Sequence, residues 1–157
     1  MSAESAASRA PTQSAASRAP TRDSGSENFP VASRLLAPEI RPKVLGFYRF
    51  VRAADDIADD PALTAEEKLR RLGALEAALD DPATEEPAAT ALHRAAMGTD
   101  EARLMLSAFR QDAVQARYAD WASLEDYCAR SANPVGCMLL RLHHETKAEA
   151  IAAADAL

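Results

Sequence analysis

The chain has little of what several common protein classes need. Its 157 residues include only two cysteines, Cys128 and Cys137, too few for a disulfide framework and not in the spacing of a zinc site. Lys and Arg number 18 against 24 Asp and Glu, so the clustered basic surplus that nucleic-acid binding requires is absent. Charged residues or prolines interrupt every apolar run before it reaches the ~20 residues of a membrane-spanning helix. We therefore expect a cytoplasmic protein without a nucleic-acid partner.

The first 26 residues differ in composition from the rest. They are rich in Ser and Ala and have no large apolar side chain after Met1, and the segment from Ser5 to Thr12 recurs unchanged from Ser14 to Thr21. Such a segment cannot bury enough apolar surface to fold. The sequence predicts a disordered tail over residues 1–26 and one folded domain over 27–157.

The folded part is predicted to be all-α, because its apolar residues recur at three- and four-residue spacing and no alternating strand pattern is present. A capping box at Thr64 and Glu67 marks one helix start, and Gly98 is the expected stop of an alanine-rich helix. We expect Trp121 and both cysteines to be packing residues. The predicted helices cover about 30–36, 41–59, 64–79, 87–97, 100–117 (burying Leu104, Met105, Leu106 and Phe109) and 123–156, the last being bent or divided at Asn133-Pro134.

Four carboxylates crowd into the six residues from Asp55 to Asp60, which contain the pattern DDxxD. At 100° per residue Asp59 lies 40° from Asp55 around the helix, so the two side chains stand one turn apart on one face. Oxygen ligands on a solvated helix suit magnesium (Mg2+), which keeps several waters and is shared with substrate phosphates. The pattern favours a magnesium site made by Asp55, Asp59 and Asp56.

The competing interpretation is a solvated acidic helix end, which is common before a proline-bounded loop. The same helix face, however, carries Tyr48 and Arg52 beside the carboxylates. Burying such a mixture without a cation or water to satisfy it costs several kcal/mol. A binding site explains the mixture better than plain core packing does.

Two separated segments resemble one known family. Residues 47–60 resemble the first aspartate-rich region of the squalene and phytoene synthase family, in which a Tyr and an Arg precede the aspartates by seven and three positions, as Tyr48 and Arg52 do here. Residues 127–136 resemble that family's YCxxxAxxVG segment. Together with residues 27–33, the string RSANPVG in this segment is similar to the bacterial hydroxysqualene synthase branch of hopanoid biosynthesis.

The resemblance implies an isoprenoid synthase-type helical bundle that acts on a prenyl diphosphate with Mg2+. In the hydroxysqualene branch, presqualene diphosphate ionises and water captures the carbocation. The family's metal ligands correspond to the three aspartates named above, Arg52 would contact the diphosphate, and Tyr48 and Tyr127 would line the reacting centre. Asn133 would supply an amide in the cavity wall, or only shape the bend of the helix.

One departure from the family is large. The family uses a second aspartate-rich helix, whereas no DxxxD or DDxxD follows Asp60 in this chain. We interpret the chain as the N-terminal portion of the domain, inactive alone. The alternatives are a presqualene diphosphate, squalene or phytoene synthase of the same family, or an inactive helical fragment or interaction module. Peripheral membrane contact is compatible with an insoluble product, and the oligomeric state is left open.

Overall fold

A computed structural model of the chain describes residues 36–115, 117–145 and 147–155. All regular secondary structure in these ranges is α-helical, so the predicted fold class is confirmed. The predicted tail over residues 1–26 and nearly all of the predicted helix 30–36 lie outside the described residues. The helices are α1 (Arg41–Asp59), α2 (Ala65–Ala77), α3 (Pro87–Arg94), α4 (Asp100–Asp112), α5 (Trp121–Ser131), α6 (Asn133–Leu142) and α7 (Ala148–Asp155).

Helix α1 has the predicted bounds and carries the acidic cluster in its last turns. Pro42 lies in the first turn, where a missing N–H removes no intrahelical hydrogen bond. At the other end Asp60 turns to an extended conformation with ψ 111°, as a residue before proline prefers. The helix therefore ends at Asp59 because Pro61 follows.

Helix α2 begins with half of the predicted capping box. The Thr64 hydroxyl accepts a hydrogen bond from the Glu67 backbone N–H at 3.2 Å. The Glu67 carboxylate, however, binds the side chains of Arg70 and Arg71, because two guanidinium groups one turn ahead attract it more strongly than a neutral N–H does. Of the leucines in this helix, Leu69 is exposed, whereas Leu72 and Leu75 are buried.

The core lies where α1 packs against α2, α3 and α4, and α4 also contacts α5 and α6. Each of the first four helices contributes one large side chain that is fully buried: Phe50, Leu72, Leu92 and Leu106. Burial of such a side chain stabilises the fold by roughly 1.5–3 kcal/mol. This shared core fixes the rotation of α1 about its axis, and with it the direction of the acidic cluster.

Two predicted helix ends are wrong. Helix α3 ends at Arg94 instead of continuing to about Met97, because Ala96 takes the left-handed conformation with φ 52°. Helix α4 ends at Asp112. The backbone N–H groups of residues just after it donate hydrogen bonds to the Gln111 carbonyl oxygen. Leu104, predicted to be buried, is exposed because α4 turns its alanine- and methionine-bearing face to the core.

The C-terminal segment is divided at Asn133-Pro134, which is one of the two predicted outcomes. Pro134 lies in the first turn of α6, so the proline begins a helix instead of kinking one. A second, unpredicted break follows α6, where His144 has φ 58°. Trp121 and Cys128 are exposed, contrary to prediction, because α5 buries none of its residues, whereas Cys137 is buried as expected.

Helices α1 and α3 cross closely at Gly46. A Cβ atom at this position would lie 2.6 Å from the Ala95 Cβ and 2.8 Å from the Ala91 carbonyl oxygen. Backbone cannot yield as a flexible side chain can, so the two helices would have to move apart. The absence of a side chain at Gly46 therefore sets the distance between α1 and α3.

Gly46→Ala is expected to lower the free energy of unfolding by about 1–3 kcal/mol, the usual cost of overpacking. Gly73→Ala is the matched control, because a Cβ at this position in α2 would meet only the end of Arg110 at 3.8 Å. The control should stabilise the chain by about 0.5–1 kcal/mol through helix propensity. Chemical denaturation of both variants measures the two effects, and equal stabilisation by both would contradict the close crossing.

Candidate functional site

Arg52 holds two of the predicted metal-binding carboxylates. Its Nη1 lies 2.6 Å from Asp55 Oδ2 and its Nη2 lies 3.0 Å from Asp56 Oδ1. The three side chains are 21–31% exposed, so water screens them only in part. One guanidinium therefore spreads its charge over two neighbouring carboxylates at the C-terminal end of α1, where the helix dipole disfavours negative charge.

The surroundings of Asp55 disfavour its charged form. Partial burial raises the pKa of its carboxyl, and the negative charge of Asp59 raises it further. Arg52 opposes this shift, whereas Asp56 and the more distant Asp112 on α4 add to it. Although Arg52 is bonded to it, the charged form of Asp55 remains disfavoured, and a cation placed beside it would relieve that stress.

The donor set fits a magnesium ion that is completed by other ligands. The part of the chain that the structure describes contains no group of three or more His, Cys, Asp or Glu side chains arranged around one point. Magnesium, however, is commonly held by one or two carboxylates together with waters and substrate phosphates. Asp59 lies one turn from Asp55 and its charge raises the pKa of Asp55, whereas Asp56 lies about 100° around the helix from Asp55.

Arg52 has a further donor available. Its Nε is buried and has no hydrogen-bond partner in the described residues, which is uncommon for a buried donor and calls for an acceptor. Tyr48 lies one turn earlier on α1 and is partly buried, with interactions inside the fold. The structure thus places the predicted Tyr48, Arg52, Asp55 and Asp59 along one side of α1.

Tyr127 lies on α5, and its hydroxyl donates a hydrogen bond to Asp112 Oδ2 at 2.6 Å. Its ring contacts that of Tyr118, with centroids 5.2 Å apart and planes at 48°. Burial, the hydrogen bond and the charge of Asp112 raise the pKa of Tyr127. The contacts of Tyr127 with Asp112 and with the Tyr118 ring were not predicted. Asp112 lies 15 positions before Tyr127 and Tyr118 lies 9 positions before it, on other segments, so no helical spacing links them.

Asn133 is buried as the first residue of α6 and interacts within the fold. Its predicted substrate-binding role stays a prediction. A cavity of about 350 Å³ lies elsewhere, between α1 and α3, and is lined by Gly46, Arg49 and Arg94 among others. Gly46 is 180° from Asp55 around α1, so this cavity is not the chamber expected beside the aspartates.

Asp55→Asn is expected to stabilise the chain at neutral pH in the absence of metal. A carboxyl whose pKa is raised in the folded state binds its proton more tightly there, so the parent loses stability as the pH rises from below the ordinary aspartate value through the raised one. The uncharged Asn escapes this loss. In thermal unfolding, the stability of the variant relative to the parent should therefore increase between about pH 3 and pH 7.

Glu125→Gln makes the same change in net charge on an exposed part of α5 and serves as the control. It should not reproduce the pH-dependent gain. A parent that is more stable than Asp55→Asn at pH 7 would contradict the electrostatic description of the site.

Comparisons with known proteins agree with the two motifs. A profile of the squalene/phytoene synthase family matches residues 22–157. Hydroxysqualene synthases from Sinorhizobium fredii and Rhodopseudomonas palustris are 45% and 44% identical to the chain over 126 and 124 residues, which cover 78% and 76% of it. A phytoene synthase from Pseudescherichia vulneris is 31% identical over an alignment of 134 positions, which covers 76% of the chain. No solved structure matches the chain.

The chain spans less than half the length of these relatives, since the matched regions cover 43%, 42% and 43% of their sequences. The match lies in their N-terminal portion. No helix in the described ranges is long and apolar enough to cross a membrane. The matching family profile, the level of identity and the helical fold together show that this chain belongs to the squalene/phytoene synthase family.

Proposed function

We propose that the chain supplies the N-terminal part of a hydroxysqualene synthase, which converts presqualene diphosphate to hydroxysqualene with magnesium. The observation that carries the proposal is the acidic end of α1, where Arg52 bridges Asp55 and Asp56 beside Asp59. This arrangement offers both a fork of donors for phosphate oxygens and a carboxylate pair for a divalent cation.

Arg52 has a role in each state of the proposed site. In the metal-free protein its guanidinium offsets the repulsion among the carboxylates. When a diphosphate and its cations enter, the carboxylates gain positive neighbours and Arg52 becomes available to the phosphate oxygens, with the buried Nε as an additional donor. Magnesium supplies Lewis-acid stabilisation of the charge that develops on the departing diphosphate.

The two tyrosines belong to the second half of the proposed reaction. Departure of the diphosphate leaves a carbocation, which an aromatic ring stabilises through its negative face. Tyr48 lies one turn from Arg52 on α1, and Tyr127 lies on a helix that packs against α4. We assign both to the reacting centre, where capture of the cation by water yields the alcohol.

The hydroxysqualene branch is favoured over the phytoene branch by sequence similarity. Identity is 45% to the Sinorhizobium hydroxysqualene synthase and 31% to the Pseudescherichia phytoene synthase over similar lengths. The motif at residues 130–136 points to the same branch. A phytoene synthase is the second candidate, distinguished by its substrate and by loss of a proton in place of water capture.

The first test uses a chimera in which this chain is continued by the C-terminal portion of the Sinorhizobium relative. With magnesium the chimera should release diphosphate from presqualene diphosphate and form hydroxysqualene, whereas the chain alone should be inactive. Asp55→Asn and Asp59→Asn should each reduce kcat/KM by about 10²–10³, since loss of a metal ligand removes several kcal/mol of charge stabilisation.

Asp56→Asn should have a smaller effect, because Asp56 lies about 100° around α1 from Asp55 and outside the Asp55–Asp59 pair, and Glu125→Gln should have none. Near-parental turnover by Asp55→Asn would refute the metal assignment. Formation of phytoene from geranylgeranyl diphosphate, with no reaction of presqualene diphosphate, would move the protein to the neighbouring branch.

Arg52→Lys tests the proposed contact with the diphosphate. Lysine keeps the charge but loses the planar fork, so it cannot bridge two carboxylates or bind two phosphate oxygens together. We expect kcat/KM of the chimera to fall about tenfold or more, in keeping with the loss of a charge-assisted hydrogen bond. Arg49→Lys is the control, because Arg49 is exposed on α1 away from the aspartates; an equal effect of the two substitutions would contradict the assignment.

A further inference from the structure

Asp112, the last residue of α4, has a place in the site that none of the sequence motifs assigns. Its Oδ2 accepts the hydroxyl proton of Tyr127 at 2.6 Å. The same carboxylate is close enough to Asp55 on α1 to raise the pKa of that group. Asp112 therefore binds the tyrosine of α5 directly, and its charge also acts on the aspartate end of α1.

The surroundings hold Tyr127 in a defined orientation. The Tyr118 ring packs against it, and the Tyr118 hydroxyl is enclosed near Asp112. Arg130, one turn after Tyr127 on α5, donates hydrogen bonds to Ser107 and Gln111 on α4. Helices α4 and α5 are thus tied together beside the Tyr127–Asp112 pair, and the phenol has little freedom to turn away from its partner.

The direction of the hydrogen bond limits what Tyr127 can do. An ionised carboxylate only accepts hydrogen bonds, so the single hydroxyl proton of Tyr127 is committed to Asp112. Toward any other molecule the phenol oxygen can then offer only a lone pair, and Ser131 lies near enough to donate to it. A water beside Tyr127 would likewise donate a hydrogen and keep its own lone pair free for an electrophile.

We infer that Asp112 is a positioning residue for water capture, acting through Tyr127, an inference that rests on the function proposed above. The water oxygen forms a C–O bond to the carbocation with its lone pair, and one O–H bond of that water breaks. The released proton passes to the Tyr127 oxygen while Tyr127 gives its own proton to Asp112. The products are the neutral alcohol, a neutral tyrosine and a protonated Asp112, so atoms and charge balance without a further reactant.

The decisive experiment separates ionisation from water capture in the chimera. Asp112→Asn should release diphosphate from presqualene diphosphate at a rate within about threefold of the parent, because the cation-binding end of α1 is intact. The fraction of alcohol among the products should fall about tenfold or more in favour of hydrocarbons formed by loss of a carbon-bound proton. These factors correspond to the loss of one hydrogen bond to a charged group.

Tyr127→Phe should shift the products in the same direction, and the double variant should match the more affected single variant, because the two residues act as one unit. Glu125→Gln, which removes an exposed carboxylate of α5, is the control and should leave the product ratio unchanged. An unchanged alcohol fraction in Asp112→Asn, or independent and multiplying effects in the double variant, would overturn the inference. If Asp112→Asn does not fold, Tyr127→Phe alone must lower the alcohol fraction.

Failure of the proposed function is recognised separately, because the parent chimera would then release no diphosphate from presqualene diphosphate.

Ultraviolet titration of the chain itself would still test the pairing of Tyr127 with Asp112. The chain has three tyrosines, and Tyr127→Phe identifies the signal of Tyr127. The groups facing this phenol are Asp112, Tyr118 and Ser131. Asp112→Asn should lower the pKa of Tyr127, and an unchanged value would overturn the pairing whatever the activity.

Discussion

The repulsion among carboxylates at the end of α1 is the constraint on which the rest of the site depends. Asp55 is partly withdrawn from water, faces Asp59 one turn away, and is balanced by a single guanidinium that also serves Asp56. Such an arrangement is costly in the metal-free protein. Under the proposed function, divalent cations would bring positive charge to the carboxylates and a diphosphate would bring acceptors to Arg52, which would make the arrangement favourable. The charges of the site would thus be better balanced with the proposed ligands bound than in the metal-free protein.

The packing of the helices determines how α1, and with it the acidic cluster, is oriented. Phe50 anchors α1 in the core together with one large residue from each of the next three helices, and Gly46 allows α1 to approach α3 closely. At the end of α4, the Asp112 carboxylate accepts a hydrogen bond from Tyr127, and its negative charge adds to the rise in the pKa of Asp55. Helix α4 therefore connects the charged half of the site to its aromatic half.

Regular features of the sequence predicted a good part of this arrangement. The bounds of α1 followed from periodicity and from Pro61, and the placement of Tyr48, Arg52 and the aspartates on one side followed from helical geometry alone. The division at Pro134 was one of two predicted outcomes. Local patterns succeed here because each depends on residues within one or two turns of one another.

Features that depend on contacts between distant segments were not predictable in this way. Ala96 and His144 take left-handed conformations, which are uncommon for residues other than glycine, so no glycine marks these two helix ends in the sequence. Trp121 seemed a packing residue by its type, yet α5 buries none of its residues. The contact of Asp112 with Tyr127 was not predicted, because the two residues lie on different helices joined by a loop. No spacing rule links a helix end to a residue on the next helix.

Calorimetric titration of the chain with magnesium and inorganic pyrophosphate tests the central claim most directly. The account predicts saturable binding of pyrophosphate that requires magnesium and is lost in Asp55→Asn and in Asp59→Asn, while Glu125→Gln binds as the parent does. Equal binding by the parent and both aspartate variants, or binding that is indifferent to magnesium, would contradict the assignment of the acidic turn as the cation-diphosphate site.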